Sequence, residues 1–386
     1  MKEQTRIIRN LWPDREISTA TTINQPMYKG STVLFDRYED MAKARRGQYD
    51  GITYGTDRLP TQRQFEEAIR ELEGGAETRV FQSGIAAIQT ALMAFTKSGD
   101  HILVCDNAYT PGQRFCKKIL QKFNIDFTLI PPNAGANIEQ YIQANTVLIL
   151  LESPGSITFE IQDIPAITAI ARQKDIVTVL DSTWATPLYL KPFELGVDVS
   201  IHSVTKYISG YSDVLAGTVT VNERCSTIFK DFYKHMEIYT PAEECYLALR
   251  GLQSLSTRLR QHEQSALIVA KWLQTLPLVA EVLHPALPCH PEHHLWKRDF
   301  RGSSGLFAFT FQKDYTEPQL AAFINSLELF RLGYSWGGYK SLLTASKIMR
   351  ATPSRYAGKT IIRLSIGLED CDDLVHDLER GFALLN

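Results

Sequence analysis

Two residues in this chain pair an amine with a carboxylate in a setting that suits one kind of chemistry. Asp181 closes the apolar run IVTVLD (176–181) and is followed by the polar turn Ser182-Thr183-Trp184. Lys206 stands 25 residues later, inside HSVTKYISG, just after the apolar run VDVSIHS (197–203). A lysine can bond to an aldehyde carbon, and a carboxylate can keep a pyridine nitrogen protonated so that the ring draws in electrons. Pyridoxal phosphate needs both groups. Taken singly, a strand-end aspartate reads as a helix cap and a loop lysine as a solvated cation, so the neighbours decide.

Those neighbours favour the cofactor. Ser203 and Thr205 set two hydroxyls beside Lys206, suited to a phosphate. In QSGIAAIQTAL (82–92), Gly84 opens a helix directly after the strand-like RVF, and the first N–H groups of a helix bind anions. Tyr109, just past the apolar run that ends at Asp106, offers a ring to stack on a flat heterocycle. Phosphate cradle, ring stack, pyridine partner and lysine then meet at one edge of one sheet.

The elements that must position these groups are legible as runs. HILVCD (101–106), IDFTLI (125–130), TVLILLE (146–152), DIVTVLD (175–181) and VDVSIHS are apolar throughout and of strand length. Helix-sized segments alternate with them at 84–95, 111–123 and 163–174. Strands apolar on both faces, separated by helices, predict an α/β fold with a mostly parallel sheet covered on both sides. Ligands of such sheets sit at the carboxyl ends of the strands, which singles out Asp106, Tyr109, Glu152, Asp181, Ser203 and Lys206. A long helical stretch at 242–275 leads into a smaller α+β unit with strands at 305–312 and 360–367 around a helix at 318–327. The expected organisation is an extended arm (1–57), a large domain (58–245) and a small C-terminal domain that includes the long helix (246–386).

Composition sets the outer limits. The 386 residues carry 41 Lys+Arg against 43 Asp+Glu, so the broad basic field of a non-specific nucleic-acid binder is missing. With 44% hydrophobic residues the chain can build a core without disulfides or metal. Six scattered cysteines read as reduced thiols. The beginning, MKEQTRIIRNLWPDRE, has no apolar stretch of a secretory leader, and no run reaches bilayer length, so a cytoplasmic protein without membrane contact is expected. No GxGxxG follows a strand, and GxxxxGK[ST] and GxSxG are missing. Cys289, His290, His293 and His294 gather in HPALPCHPEHHLW, but their irregular spacing reads as a surface loop, not a metal site.

The chain resembles the Cys/Met-metabolism class of pyridoxal-phosphate enzymes over nearly its whole length. The resemblance is carried by YGTDRLPT (54–61), SGIAAIQTAL, AYTPGQRFCKKIL, LESPGSITFE, DSTWATP, TKYISGYSD, RLRQHEQS, WKRDFRGSSGLFAF, YSWGGYKSL and IIRLSIGLED. YSWGG points to the branch that breaks a Cβ–S bond, since γ-acting relatives usually carry Leu at the Trp336 position. It implies an aspartate-aminotransferase-like fold, pyridoxal 5'-phosphate as cofactor and a thioether amino acid such as cystathionine as substrate. It also implies a role in methionine biosynthesis and a homotetramer of dimers that share active sites.

Residue by residue, the resemblance implies that Lys206 binds the cofactor and moves the proton, Asp181 meets the pyridine nitrogen and Tyr109 stacks on the ring. Gly84, Ile85, Ser203 and Thr205 would hold the phosphate, joined by Tyr54 of a neighbouring subunit. Tyr109 or Tyr54 would assist proton transfer. Arg363 would clamp the substrate carboxylate, with Tyr334, Ser335 and Trp336 lining that end. Two positions depart from the family. Thr56 stands where an arginine usually completes the phosphate clamp, leaving Arg58 to reach back or the clamp weaker. Lys340 stands where relatives often have Glu. Two competing readings are a γ-acting enzyme, betrayed by 2-oxobutyrate, and a regulatory protein that keeps the fold.

Overall fold

The computed structural model describes residues 2, 3, 5 and 23–385. The apolar runs become adjacent strands: β1 Glu77–Phe81, β2 His101–Cys105, β3 Asp126–Ile130, β4 Thr146–Glu152, β5 Val177–Asp181, β6 Val199–Ser203 and β7 Gly217–Val221. They form one sheet in the order β1-β7-β6-β5-β4-β2-β3. The β2–β3, β2–β4, β4–β5 and β5–β6 pairs are parallel, and only β7 runs against its neighbours. Alternation sends the apolar residues of β2, β4 and β5 to both sides of the sheet. Leu103, Ile149, Leu151 and Leu180 enter one core, while Ile102, Val104, Leu148, Leu150 and Val179 enter the core on the opposite face. Burying each such side chain contributes about 1.5–3 kcal/mol, so both faces must be covered.

A second sheet follows: β8 Val279–Leu283, β9 Leu306–Phe311, β10 Arg331–Leu332, β11 Leu342–Lys347 and β12 Thr360–Ser365, in the order β10-β11-β12-β9-β8. All of its pairings are antiparallel except β10–β11. The fold is thus the expected α/β one, a mostly parallel sheet with a smaller α+β unit behind it. The helix Ala242–Leu273 ties the two together. Its first half packs Ala248, Leu252, Leu255 and Leu259 against Phe65, Ile69 and Tyr207. Its second half packs Ala266, Val269 and Leu273 against Phe307, Phe309 and Leu364 of the second sheet.

This helix also holds the backbone that carries Lys206. Arg258 donates to the carbonyls of Tyr207 at 2.8 Å and Ile208 at 3.2 Å. At Gly251 the helix lies so close that a Cβ would stand 2.3 Å from the Ser209 carbonyl oxygen, which explains the glycine. Of the expected arm, residues 1, 4 and 6–22 lie outside the described residues. In the described part, Tyr38–Arg45 is helical with no buried residue, and Leu34 and Tyr38 are exposed. No helix among the described residues is long and apolar enough to cross a membrane.

Candidate active site

Glu152, Asp181 and Ser203 end β4, β5 and β6 at the same rim of the first sheet. A cavity of about 240 Å³ opens there, and Lys206, Asp181, Tyr109, Ser203, Trp336 and Arg363 all contribute to its wall. Parallel strands align their ends, so residues scattered over a hundred positions converge without special loops. The second sheet closes the cavity through Arg363 of β12 and the Tyr334-Ser335-Trp336 segment.

Lys206 donates from Nζ to Ser335 Oγ at 2.9 Å, and its Nζ lies 5.2 Å from the Trp336 ring centre. Burial and the nearby Arg363 guanidinium push its pKa down to about 8, against the pull of Asp181. The amine is therefore far more nucleophilic near neutrality than an exposed lysine. Asp181 accepts at Oδ1 from the Thr183 amide at 3.0 Å and the Thr183 hydroxyl at 2.5 Å. Burial raises its pKa, while the Thr183 hydrogen bonds and the charges of His202 and Lys206 favour the ionised form.

The phosphate-sized end is built by the helix Gly84–Ala94. Ser83 caps it by accepting from the Ala86 amide at 3.1 Å, and Gly84 and Ile85 line the cavity. A Cβ at Gly84 would stand 2.6 Å from Ser203 Oγ, so only glycine lets this helix start come so close. Anions bind at such a start because its amides are unshared and its dipole is positive there. Thr205 also lines the cavity, with its hydroxyl exchanging hydrogen bonds with the Ala216 backbone at 3.2 Å and 3.1 Å. A cradle only glycine allows, an amine, a carboxyl opposite and an exposed tyrosine edge fit pyridoxal phosphate at every end.

Arg363 is partly buried, and desolvation pushes its pKa down. Its guanidinium has only the carbonyls of Tyr334 at 3.5 Å and Ser335 at 3.4 Å, and no carboxylate partner among the described residues. Tyr334 stands almost fully exposed at the cavity mouth. Trp336 is inside, its ring centre 5.5 Å from that of Tyr207.

Two of the residues singled out in the sequence lie elsewhere. Tyr54 is half exposed and does not line the cavity. Arg58 does not line it either; its guanidinium pairs with Glu66 at 3.2 Å and Glu77 at 3.4 Å in the same chain. Lys340 is exposed, with Nζ 5.9 Å from the Tyr339 ring centre. The histidine-rich loop divides, with His290 buried and Cys289 exposed, and all six cysteines are free thiols.

Glu152, singled out in the sequence as a strand-end residue without an assigned role, lines the cavity, and so do Thr183 and Trp184, which the sequence did not single out as site residues. Thr183 could have been found from its place two residues after Asp181, the spacing at which a side-chain carboxyl catches the chain's next amides. Sequence reasoning also overlooked Asp106 and Arg350 as a link between the sheets. Asp106 Oδ2 accepts from the amides of Ala351 at 2.9 Å and Thr352 at 2.8 Å, while Arg350 donates to the Asp106 carbonyl.

Fold and site together define a pyridoxal-phosphate-dependent enzyme of fold type I. Comparison with known proteins narrows the class: the family described as Cys/Met metabolism PLP-dependent enzyme matches residues 4–383, and the chain belongs to it. The chain is 42% identical over 373 residues to cystathionine beta-lyase MetC of Escherichia coli, covering 95% of this chain and 94% of that one. It is 38% identical over 377 residues to an L-alanine/L-glutamate racemase of Wolbachia pipientis, covering 94% and 93%. The solved structure of metB from Corynebacterium glutamicum superposes with a TM-score of 0.91 at 28% identity, covering 100% of this chain and 99% of that one.

Proposed function

We propose that the protein breaks the Cβ–S bond of L-cystathionine, or of a related S-substituted cysteine, giving the thiol (homocysteine from cystathionine), pyruvate and ammonia. One observation carries this reading. A partly buried guanidinium without a carboxylate partner among the described residues, Arg363, shares a cavity with a lysine whose pKa is pushed down to about 8. An amino acid supplies the missing carboxylate. A planar guanidinium takes it bidentately, which an ammonium cannot do.

Bound in the cavity, pyridoxal phosphate supplies an aldehyde that joins amines and a pyridinium ring that accepts the electrons left at Cα. Asp181 would hold the proton on that ring nitrogen, and Tyr109 would cover the ring. The amides of Gly84 and Ile85 and the Ser203 hydroxyl would hold the phosphate, joined by the Thr205 hydroxyl if it gives up its bond to the Ala216 carbonyl. Lys206, once neutral, takes the proton from Cα. Arg363, with Tyr334 and Ser335 beside it, would fix the substrate carboxylate and so orient the Cα–H bond for removal by Lys206. Lys206, now charged, or a tyrosine hydroxyl (Tyr109, or Tyr54 of a second copy) returns a proton to the departing sulfur. Water then releases pyruvate and ammonia, which balances the reaction. Trp336, with its ring centre 5.2 Å from Lys206 Nζ, lines the same end as Arg363, and its presence where γ-acting relatives usually carry Leu supports a substrate whose sulfur sits on Cβ.

The proposal extends to a homotetramer of dimers in which Tyr54 of one copy meets the phosphate held by another. Half-exposed Tyr54, outside its own chain's cavity, supports that. It extends also to a cytoplasmic place in methionine biosynthesis through transsulfuration, and to three units, 1–57, 58–245 and 246–386. The test is steady-state product analysis of the purified protein on cystathionine, cystine and other thioether amino acids. Pyruvate with an equimolar thiol is expected. Release of 2-oxobutyrate, or conversion of L-alanine or L-glutamate to the D form without pyruvate, would overturn it.

A further inference from the structure

Glu152 and Asp181 are register partners at the ends of the parallel strands β4 and β5, so their carboxyl groups leave the same face of the sheet into the same cavity. Two carboxylates side by side in a site of low polarity do not both ionise. Their surroundings divide the roles. Asp181 has two Thr183 hydrogen bonds and the Lys206 charge to stabilise an anion. Glu152 has one, accepting at Oε2 from the Tyr109 amide at 2.6 Å. The cation bearing on Glu152, Arg350, is already engaged by Glu160, the Thr158 hydroxyl and the Asp106 carbonyl.

We propose that Glu152 is a positioning residue that works as a neutral carboxylic acid. Its carbonyl oxygen accepts from the Tyr109 amide and so sets the Tyr109 ring over the cavity. Its O–H gives the cavity wall a hydrogen-bond donor beside Asp181, which remains the one anionic carboxyl of the pair. Burial and the Asp181 charge both push the Glu152 carboxyl well above the usual carboxylate range, against the pull of the Tyr109 amide and Arg350. The inference deepens the reading given above and rests on it, since Asp181 must be ionised to hold a pyridine proton.

The experiment compares wild type, Glu152→Gln and Glu152→Ala, each as holoenzyme. A carboxylic-acid C=O band should appear in the Glu152→Gln minus wild-type infrared difference spectrum near neutral pH. The pH midpoint of the cofactor's absorbance band should move by less than about 0.3 unit in Glu152→Gln, because an amide replaces a group already uncharged. Glu152→Ala should lose the anchor on Tyr109, with kcat/KM down by about tenfold or more while Glu152→Gln stays within about threefold. A carboxylate band in place of the acid band, or a midpoint lowered by about one unit in Glu152→Gln, would overturn the inference. Equal behaviour of the two variants would do the same. A wild-type protein with no cofactor band would instead overturn the functional reading, and the infrared measurement on cofactor-free protein would still decide the state of Glu152.

Discussion

Lys206 Nζ, carried by the segment after β6, donates to Ser335 Oγ, carried by the segment before β11, at 2.9 Å. The reactive amine of one sheet is thus held by a hydroxyl of the other. The site exists only when both sheets are in place, and the helix Ala242–Leu273, packed into both cores, keeps them so.

Replacing Lys206 by Ala should remove both the covalent anchor and the base. Pyruvate release should fall by at least about a thousandfold, the middle of the range of about 10²–10⁴ for a general base alone, since the covalent anchor is lost as well. The yellow absorbance of the holoenzyme should vanish, while circular dichroism stays native. Retained turnover would remove Lys206 from the chemistry.

Replacing Arg363 by Ala should separate substrate binding from cofactor binding. Loss of one partner from a buried charge pair costs about 3 kcal/mol or more, which is over a hundredfold in kcat/KM. Cofactor content, read from absorbance per chain, should stay the same. Arg363→Lys should recover little of the loss, because an ammonium cannot make the bidentate contact.

Cofactor capture by the apoprotein should report the Lys206 amine directly. Only the neutral amine attacks an aldehyde, and Lys206 has its pKa pushed down to about 8. The rate of absorbance growth after mixing with pyridoxal phosphate should rise with pH and level off above about 8. An exposed lysine would keep rising towards about 10.4.

Arg58→Ala should act on stability before it acts on the cofactor. Glu66 is buried and accepts from the Val80 amide at 3.0 Å, with Arg58 as one of its counter-charges. Leaving a buried carboxylate short of a partner costs on the order of 1–3 kcal/mol. The thermal midpoint should drop by several degrees, with the pyridoxal phosphate dissociation constant changed less than about threefold. A large loss of affinity with an unchanged midpoint would return Arg58 to the phosphate.

The parts legible in the sequence were those fixed by short patterns. The mostly apolar runs mark β2 to β6, since a strand buried on both faces is rich in apolar residues, and strand ends then locate Asp181 and Lys206. The strand β7, GTVTV, escaped because its threonines read as polar, although Thr218 and Thr220 are fully buried. Glu152 was seen as a strand-end residue, but its pairing with Asp181 depends on β4 lying beside β5, which spacing along the chain does not state. Arg350 and Asp106 lie 244 positions apart, and their contact follows from how the sheets dock rather than from any local pattern.

Acid should weaken the fold already above the ordinary carboxylate range, because burial strongly disfavours the charged form of three of the buried histidines, His262, His284 and His290. His262 donates from Nδ1 to the Ile366 carbonyl at 2.8 Å, and its Nε2 has no partner. His284 accepts at Nδ1 from the Ala286 amide at 3.2 Å, and His290 from the Glu292 amide at 3.3 Å. Burial pushes their pKa values down to about 4, about 3 and about 4. Each folded value lies below the unfolded value of about 6.5, so the unfolded chain binds protons that the native chain refuses. The stability these groups contribute is complete above about pH 6.5 and is lost as pH falls towards about 4. With three groups the slope reaches at most about 4 kcal/mol per pH unit. Urea midpoints between pH 7 and pH 5 should fall on that side, and His284→Asn should flatten the fall by about one third. A stability independent of pH over this interval would mean that the three rings are charged, or open to water, in the native protein.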